Sequence, residues 1–315
     1  MTSSHPTPTI PWLAYGCLAA STSLVGSYVG LSKLLVAVFP VFLLAWLRFG
    51  IAAVLMAGWL RAPRGATPLA PRTRGLLFLE SFIGNFLFSI CLLFGLRQSS
   101  AVVAGVVMAG IPAAVALLSW LLLRERIAGR VLAGIALAVG GIGLVALQRH
   151  DGSATGGSPW GLALLLAAVF CEASYVVIGK KLTQDLTPRR ISALINLWGL
   201  VLVTPLGLWQ ALQFDFGAVR PGLWGLLGFY AAAASMVTVW LWMRGLQQVA
   251  ASRAGVFMVF LPLATALVGL VFLGERITPV QALAYALALA GVLLATWPDR
   301  RGAPQAMGGH AKVMG

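Results

Sequence analysis

A block of sequence is written twice in this chain, and that duplication limits the folds open to it more than any other feature. Shifted by 150 positions (245 minus 95), Gly95-Leu96, Gln98, Ala104-Gly105-Val106, Met108, Pro112, Ala116-Leu117 and Glu125-Arg126-Ile127 reappear as Gly245-Leu246, Gln248, Ala254-Gly255-Val256, Met258, Pro262, Ala266-Leu267 and Glu275-Arg276-Ile277. The two copies align without a gap, and both lie in apolar sequence. Internal symmetry of this kind is expected of membrane folds built from repeated halves.

With 60% hydrophobic and only 10% charged residues, the chain has too little polar surface for a soluble domain. Apolar runs recur from end to end, each close to the roughly 20 residues that a helix needs to cross the hydrocarbon core. Ten spans are predicted, at 12–35, 38–60, 75–97, 99–123, 128–148, 159–181, 190–212, 221–246, 250–273 and 279–297. The fold class is all-α: a polytopic membrane protein of ten transmembrane helices. A transmembrane barrel would need short alternating strands, and the long all-round apolar runs do not supply them.

Punctuation falls between the runs. Pro63, Gly65, Pro68 and Pro71 separate the second span from the third, and the Gly- and Ser-rich stretch 149–158 links a first half, 12–148, to a second, 159–297. Residues 1–11 are polar and lead into a span too long for a signal-peptide core, so no cleavage is expected. The tail 298–315 is polar and expected to be disordered. The formal charge of +14 comes from short connections with no aromatic-interleaved patch, which excludes a nucleic-acid partner. Cys17, Cys91 and Cys171 lack paired spacing, so neither a disulfide framework nor a zinc site is expected.

Orientation follows from Lys and Arg in alternate loops. With a cytoplasmic N-terminus, the inside holds Arg61, Arg64, Arg72, Arg74, Arg124, Arg126, Arg130, Lys180, Lys181, Arg189, Arg190, Arg244, Arg253, Arg300, Arg301 and Lys312; the outside holds only Lys33, Arg97, Arg149, Arg220 and Arg276. Both termini are therefore expected in the cytoplasm. Five spans per half is an odd number, so the second copy must enter from the opposite face. The halves are then inverted repeats about an axis in the membrane plane.

Two five-span halves, each with a Pro-containing span running into Leu/Gly-rich sequence and Glu-Arg-Ile, together with Arg48-Phe49 after Trp46-Leu47 in the second span, resemble the EamA family of the drug/metabolite transporter superfamily. The resemblance covers about residues 10–297. It implies a carrier of the cell inner membrane, often an exporter of amino acids, other small metabolites or toxic organic compounds, without a cofactor.

Candidate site residues are the polar groups inside the spans. Pro112 and Pro262, at matched places, each remove a backbone hydrogen bond and free a carbonyl. They are read as paired hinges, with a static kink as the plain alternative. Glu80 and Glu172 are acids inside spans, where a charge costs at least about 2.5 to 3.5 kcal/mol unless it pairs, faces a cavity or carries protons. Arg48 lies well inside the second span and either holds a substrate carboxylate or forms a fixed bridge. Ser81, Asn85 and Ser89 recur every four residues as a polar stripe. Tyr175, Asn196, Trp198, Tyr230, Ser235, Thr238 and Trp240 could line a site for an organic substrate, or bind helix to helix.

The small residues Gly134, Ala138 and Gly141, echoed by Ala284, Ala288 and Gly291, read as a packing face. The two Glu-Arg pairs read as caps at span ends. The expected activity is secondary transport by alternating access, with proton coupling through Glu172 or Glu80 as one option. Two rivals are weaker. An integral-membrane enzyme acting on a lipid or nucleotide would need a nucleophile or paired acids on a polar loop, and a passive small-solute pore would not need hinged repeats.

Overall fold

The computed structural model describes residues 12–61, 69–123, 129–147, 158–182, 186–246, 248–249 and 255–296. The linker 149–157, both tails and the pair Glu125-Arg126 lie outside the described residues. Among those described, regular structure is helical throughout, without a strand.

Among the described residues, seven helical stretches are long and apolar enough to cross a membrane: Pro71–Arg97, Ala101–Leu118, Gly129–Leu147, Pro159–Gly179, Pro188–Ala211, Pro221–Trp242 and Pro279–Thr296. The remaining apolar segments hold Trp12–Val36 and the shorter helices Val41–Leu55 and Phe257–Phe272. In the second segment the α-helix covers only Val41–Leu55 of the expected 38–60, and the 3-10 turn Ala57–Leu60 completes it. The third starts at Pro71, four residues before the expected 75. That proline follows a rule repeated along the chain, since Pro159, Pro188, Pro221 and Pro279 also open helices. Proline at the first helical position gives up an N–H that would be unpaired anyway, and its fixed φ suits the helix.

Helix pairing crosses between the two halves. The first segment packs on the eighth and ninth, the second on the seventh, the third on the sixth, the fourth on the sixth and ninth, and the fifth on the tenth. Exchanging segments one to five with six to ten leaves this pattern unchanged. Small residues permit close approaches between the fifth and tenth segments: a Cβ on Gly134 would stand 2.7 Å from the Gly291 carbonyl oxygen, and one on Gly141 would stand 2.7 Å from that of Ala284. Without a solvent-driven hydrophobic force between helices in lipid, such backbone contact is what holds a bundle together. Large apolar side chains such as Val54, Leu212, Leu267 and Phe272 face outward, as a protein solvated by acyl chains requires.

Candidate functional site

Backbone irregularities occupy matched places in the two halves. The third segment winds as a π-helix over Glu80–Leu87, and the eighth does so over Ala233–Val237, the same positions as 83–87 under the shift of 150. A π-turn widens the helix and breaks the normal carbonyl pairing, a feature frequent at functional sites. Hydroxyls meet carbonyls of the second bulge: Thr238 Oγ1 donates to the Ala233 oxygen (2.9 Å) and Ser192 Oγ to that of Ser235 (3.1 Å). The fourth segment is also broken. Its helix stops at Met108 and restarts at Ile111, while the ninth changes from a 3-10 stretch, Gly255–Val259, to α-helix at Phe260. Pro112 and Pro262 each sit in the first turn of the restarted helix, where the missing N–H costs least. Gly105 lets the Tyr285 hydroxyl nest against the fourth segment, and that hydroxyl donates to the Pro262 carbonyl at 3.4 Å.

Between the bulges lies Arg48. It is 4% exposed, and its Nη2 donates to Asn85 Oδ1 at 3.2 Å and to Ser89 Oγ at 2.8 Å. The guanidinium carbon stands 4.2 Å from the centre of the Phe49 ring and 5.6 Å from that of Tyr230. Its Nε has no hydrogen-bond partner, and no described carboxylate comes within ion-pair distance. A permanent cation thus sits in the protein core with neutral acceptors and two π-faces around it. Asn85 is oriented by donating its Nδ2 to the Ile195 carbonyl, which Ser81 also uses. Asn196 donates to the Phe49 carbonyl at 3.0 Å and accepts from Ser235 Oγ at 3.4 Å. Tyr28 packs 5.7 Å from Tyr230, ring centre to ring centre.

One turn away along the third segment, Glu80 is fully buried, with neither carboxylate oxygen hydrogen-bonded. It rests against Gly179, where a Cβ would stand 2.9 Å from Oε1. Glu172 is half-buried on the sixth segment, near Glu80 and the Tyr175 phenol. The structure therefore gathers Arg48, Asn85, Ser89, Asn196 and Tyr230 directly, joins Glu80, Glu172 and Tyr175 beside them, and ties in Thr238 through the bulge. Trp198 and Trp240 are each 43% exposed and stand away from this group; Trp198 packs edge-on against Phe78. Among the described residues, no group of three metal-ligating side chains is present.

Sequence reasoning missed the role of Glu275. Its Oε1 accepts from Lys33 Nζ (2.9 Å) and from the Ala101 N–H (2.8 Å), and its Oε2 accepts from the Val102 N–H (2.9 Å). It caps a helix of the other half rather than its own. Gly274, with φ 63°, makes this possible by turning the chain so that the Glu275 N–H reaches the Gly269 carbonyl at 2.9 Å, an αL helix end that glycine favours. The signal available in sequence was the Gly-Glu pair after an apolar run and the amide-rich start at Ser100.

A separate cleft lies apart from Arg48. It is a cavity of about 280 Å³ lined by Trp59, Thr187, Pro188, Arg189, Val239, Trp240 and Arg244, where the second and eighth segments end and the seventh begins.

A model of the EamA-like transporter family matches twice, over residues 11–147 and 159–297. The chain is 33% identical over 285 residues to "Uncharacterized transporter YetK" of Bacillus subtilis (strain 168), covering 89% of this chain and 86% of that one. It is 39% identical over 103 residues to "Chloramphenicol-sensitive protein RarD" of Pseudomonas aeruginosa, over 32% of this chain and 34% of that protein. A solved crystal structure superposes with a TM-score of 0.59 at 19% identity, over 89% of this chain and 95% of the other, a likeness of fold.

Proposed function

We propose that this chain, which belongs to the EamA-like transporter family, is a secondary transporter of the cytoplasmic membrane that exports small organic metabolites, amino acids among them, by alternating access. Arg48 carries this reading: a buried cation of the first half, held by Asn85 and Ser89 and covered by Tyr230 of the second, with one donor left unpartnered. A substrate meeting both halves at that point would give each a different contact in the two states, which is what a ligand needs to shift a conformational equilibrium.

The ten spans form two inverted five-helix repeats in this reading, with both termini in the cytoplasm. Rocking takes place at the breaks beside Pro112 and Pro262. Lys33, Glu275 and the start of the fourth segment close the outer side. Asn196, Tyr175 and Thr238 shape the polar wall, and Trp198 and Trp240 come to the path only if the bundle opens. Glu80 and Glu172 are the groups that could take up protons during the cycle.

The test is counterflow of labelled amino acids and small metabolites into proteoliposomes. Saturable exchange of at least one solute, lost in Arg48→Ala, is expected. A complete panel with no saturable flux, from protein that stays folded, overturns the carrier.

A further inference from the structure

The cleft between the second, seventh and eighth segments has a composition that the transport reading does not use. Two arginines enter it, each held over an indole: the Arg189 guanidinium carbon lies 5.7 Å from the centre of the Trp59 ring, and that of Arg244 lies 5.7 Å from the Trp240 ring. Neither arginine forms an ion pair with a described residue. Both side chains are exposed, so the pairing with the rings orients them without removing them from ligand reach. Two like charges sharing a small cavity repel each other, and an anion set between them reverses the sign of that interaction.

The surroundings add donors and place the cleft in the bilayer. Thr187 and Pro188 begin the seventh helix, whose first-turn N–H groups lack helical partners. Thr187 contributes a hydroxyl, and each indole brings an N–H. The cleft lies at the ends of the second, seventh and eighth segments, on the side where Lys and Arg accumulate in the sequence, so its mouth opens at the headgroup level. Tryptophan is enriched at that level, and basic pockets between helices on the cytoplasmic side take anionic lipid headgroups. At about 280 Å³, the cavity is near the lower end of ordinary ligand sites, about 300–1,000 Å³. That volume suits a headgroup whose acyl chains remain in the membrane.

We infer that this cleft is a site for the phosphate-bearing headgroup of an anionic phospholipid, with Arg189 and Arg244 as the paired phosphate ligands and Trp59 and Trp240 as its aromatic walls. The phosphodiester accepts from both guanidinium forks, and the glycerol backbone lies along the indoles. In the described conformation the cleft stands apart from Arg48, and its phosphate ligands Arg189 and Arg244 have no part in the transport reading.

The experiment uses the full-length protein in nanodiscs of pure phosphatidylcholine and of phosphatidylcholine containing phosphatidylglycerol, with lipid retention read by native mass spectrometry and the melting temperature followed in parallel. Wild type is expected to retain phosphatidylglycerol at least fivefold more than the Arg189→Gln/Arg244→Gln double variant, while both melt alike in pure phosphatidylcholine. Arg74→Gln, which removes an exposed charge at the same end of the bundle, serves as the control and is expected to behave as wild type. Equal retention by wild type and the double variant overturns the site. So does an equal loss in Arg74→Gln, which would mean diffuse attraction to a basic surface. Soluble glycerol phosphate competing as well as the lipid also overturns it, in favour of a free phosphate compound. If the double variant unfolds, the single variants Arg189→Lys and Arg244→Lys keep the charge and are each expected to retain the lipid less than wild type; unchanged retention counts against the assignment.

Discussion

Lys33 Nζ lies 2.9 Å from Glu275 Oε1, so a cation at the end of the first segment is joined to an acid on the turn between the ninth and tenth. The same carboxylate caps the fourth segment through Ala101 and Val102. Three helices of the two halves therefore meet on one side chain.

That convergence makes Glu275 more important than its bridge. Glu275→Ala leaves two first-turn N–H groups without their acceptor, and charge-assisted bonds of this kind are worth about 1.5–3 kcal/mol each at most. Lys33→Ala keeps both caps, and Lys33 is 30% exposed, so its loss should cost under about 1 kcal/mol. Thermal melting of the two variants in one detergent should rank Glu275→Ala clearly below Lys33→Ala. Equal midpoints would show that the capping bonds contribute nothing.

Arg48 offers a separation of charge from shape. Arg48→Lys keeps the cation but cannot reproduce the planar fork that reaches Asn85 and Ser89. Counterflow is expected to fall at least tenfold, with the melting temperature much less affected than in Arg48→Ala, which strands the Asn85 acceptor at about 1–3 kcal/mol. Full activity in the lysine variant would assign Arg48 to charge balance alone.

For the buried acids, Glu80→Gln and Glu172→Gln remove ionisable groups while keeping their size. Glu80 has no hydrogen-bond partner to lose, so Glu80→Gln should fold about as well as wild type, because the amide matches the carboxyl in size and buries no new charge. If either acid carries protons, its variant should keep counterflow but lose accumulation driven by a pH gradient. Unaltered uphill transport in both variants removes protons from the cycle at these positions.

Two glycines on the fifth segment provide a matched pair. A Cβ at Gly134 would meet backbone of the tenth segment, whereas Gly140 has nothing within 4 Å. Gly134→Ala should destabilise by about 1–3 kcal/mol through overpacking, while Gly140→Ala should be neutral or gain up to about 1 kcal/mol of helix propensity. Chemical denaturation in mild detergent reads both, and the same sign for the two would contradict the packing described.

Much of the fold was legible before any coordinates. Apolar length marked a polytopic helical membrane protein, because the cost of exposing polar backbone to hydrocarbon leaves little choice but helix. The small-residue series at Gly134, Ala138 and Gly141 and at Ala284, Ala288 and Gly291 both read as packing faces; that the two faces meet each other came only from the structure. The polar stripe of Ser81, Asn85 and Ser89 also came through, although the π-turn that aligns Glu80 with it did not. For Trp198 and Trp240 the sequence could not say which helix face each occupies, because aromatic residues carry no label for it.

Sequence by itself determined that the chain is duplicated, helical and built for a membrane, because periodicity, length and hydropathy are properties of the chain. Only the tertiary structure decided that Arg48 meets Asn85, Ser89 and Tyr230, that Glu275 caps the opposite half, and that Arg189 and Arg244 share a cleft. These segments are apolar on nearly every side, so core-facing and lipid-facing residues look alike in one dimension. Rotation about each helix axis, fixed by packing against neighbours distant in sequence, selects which polar groups face one another.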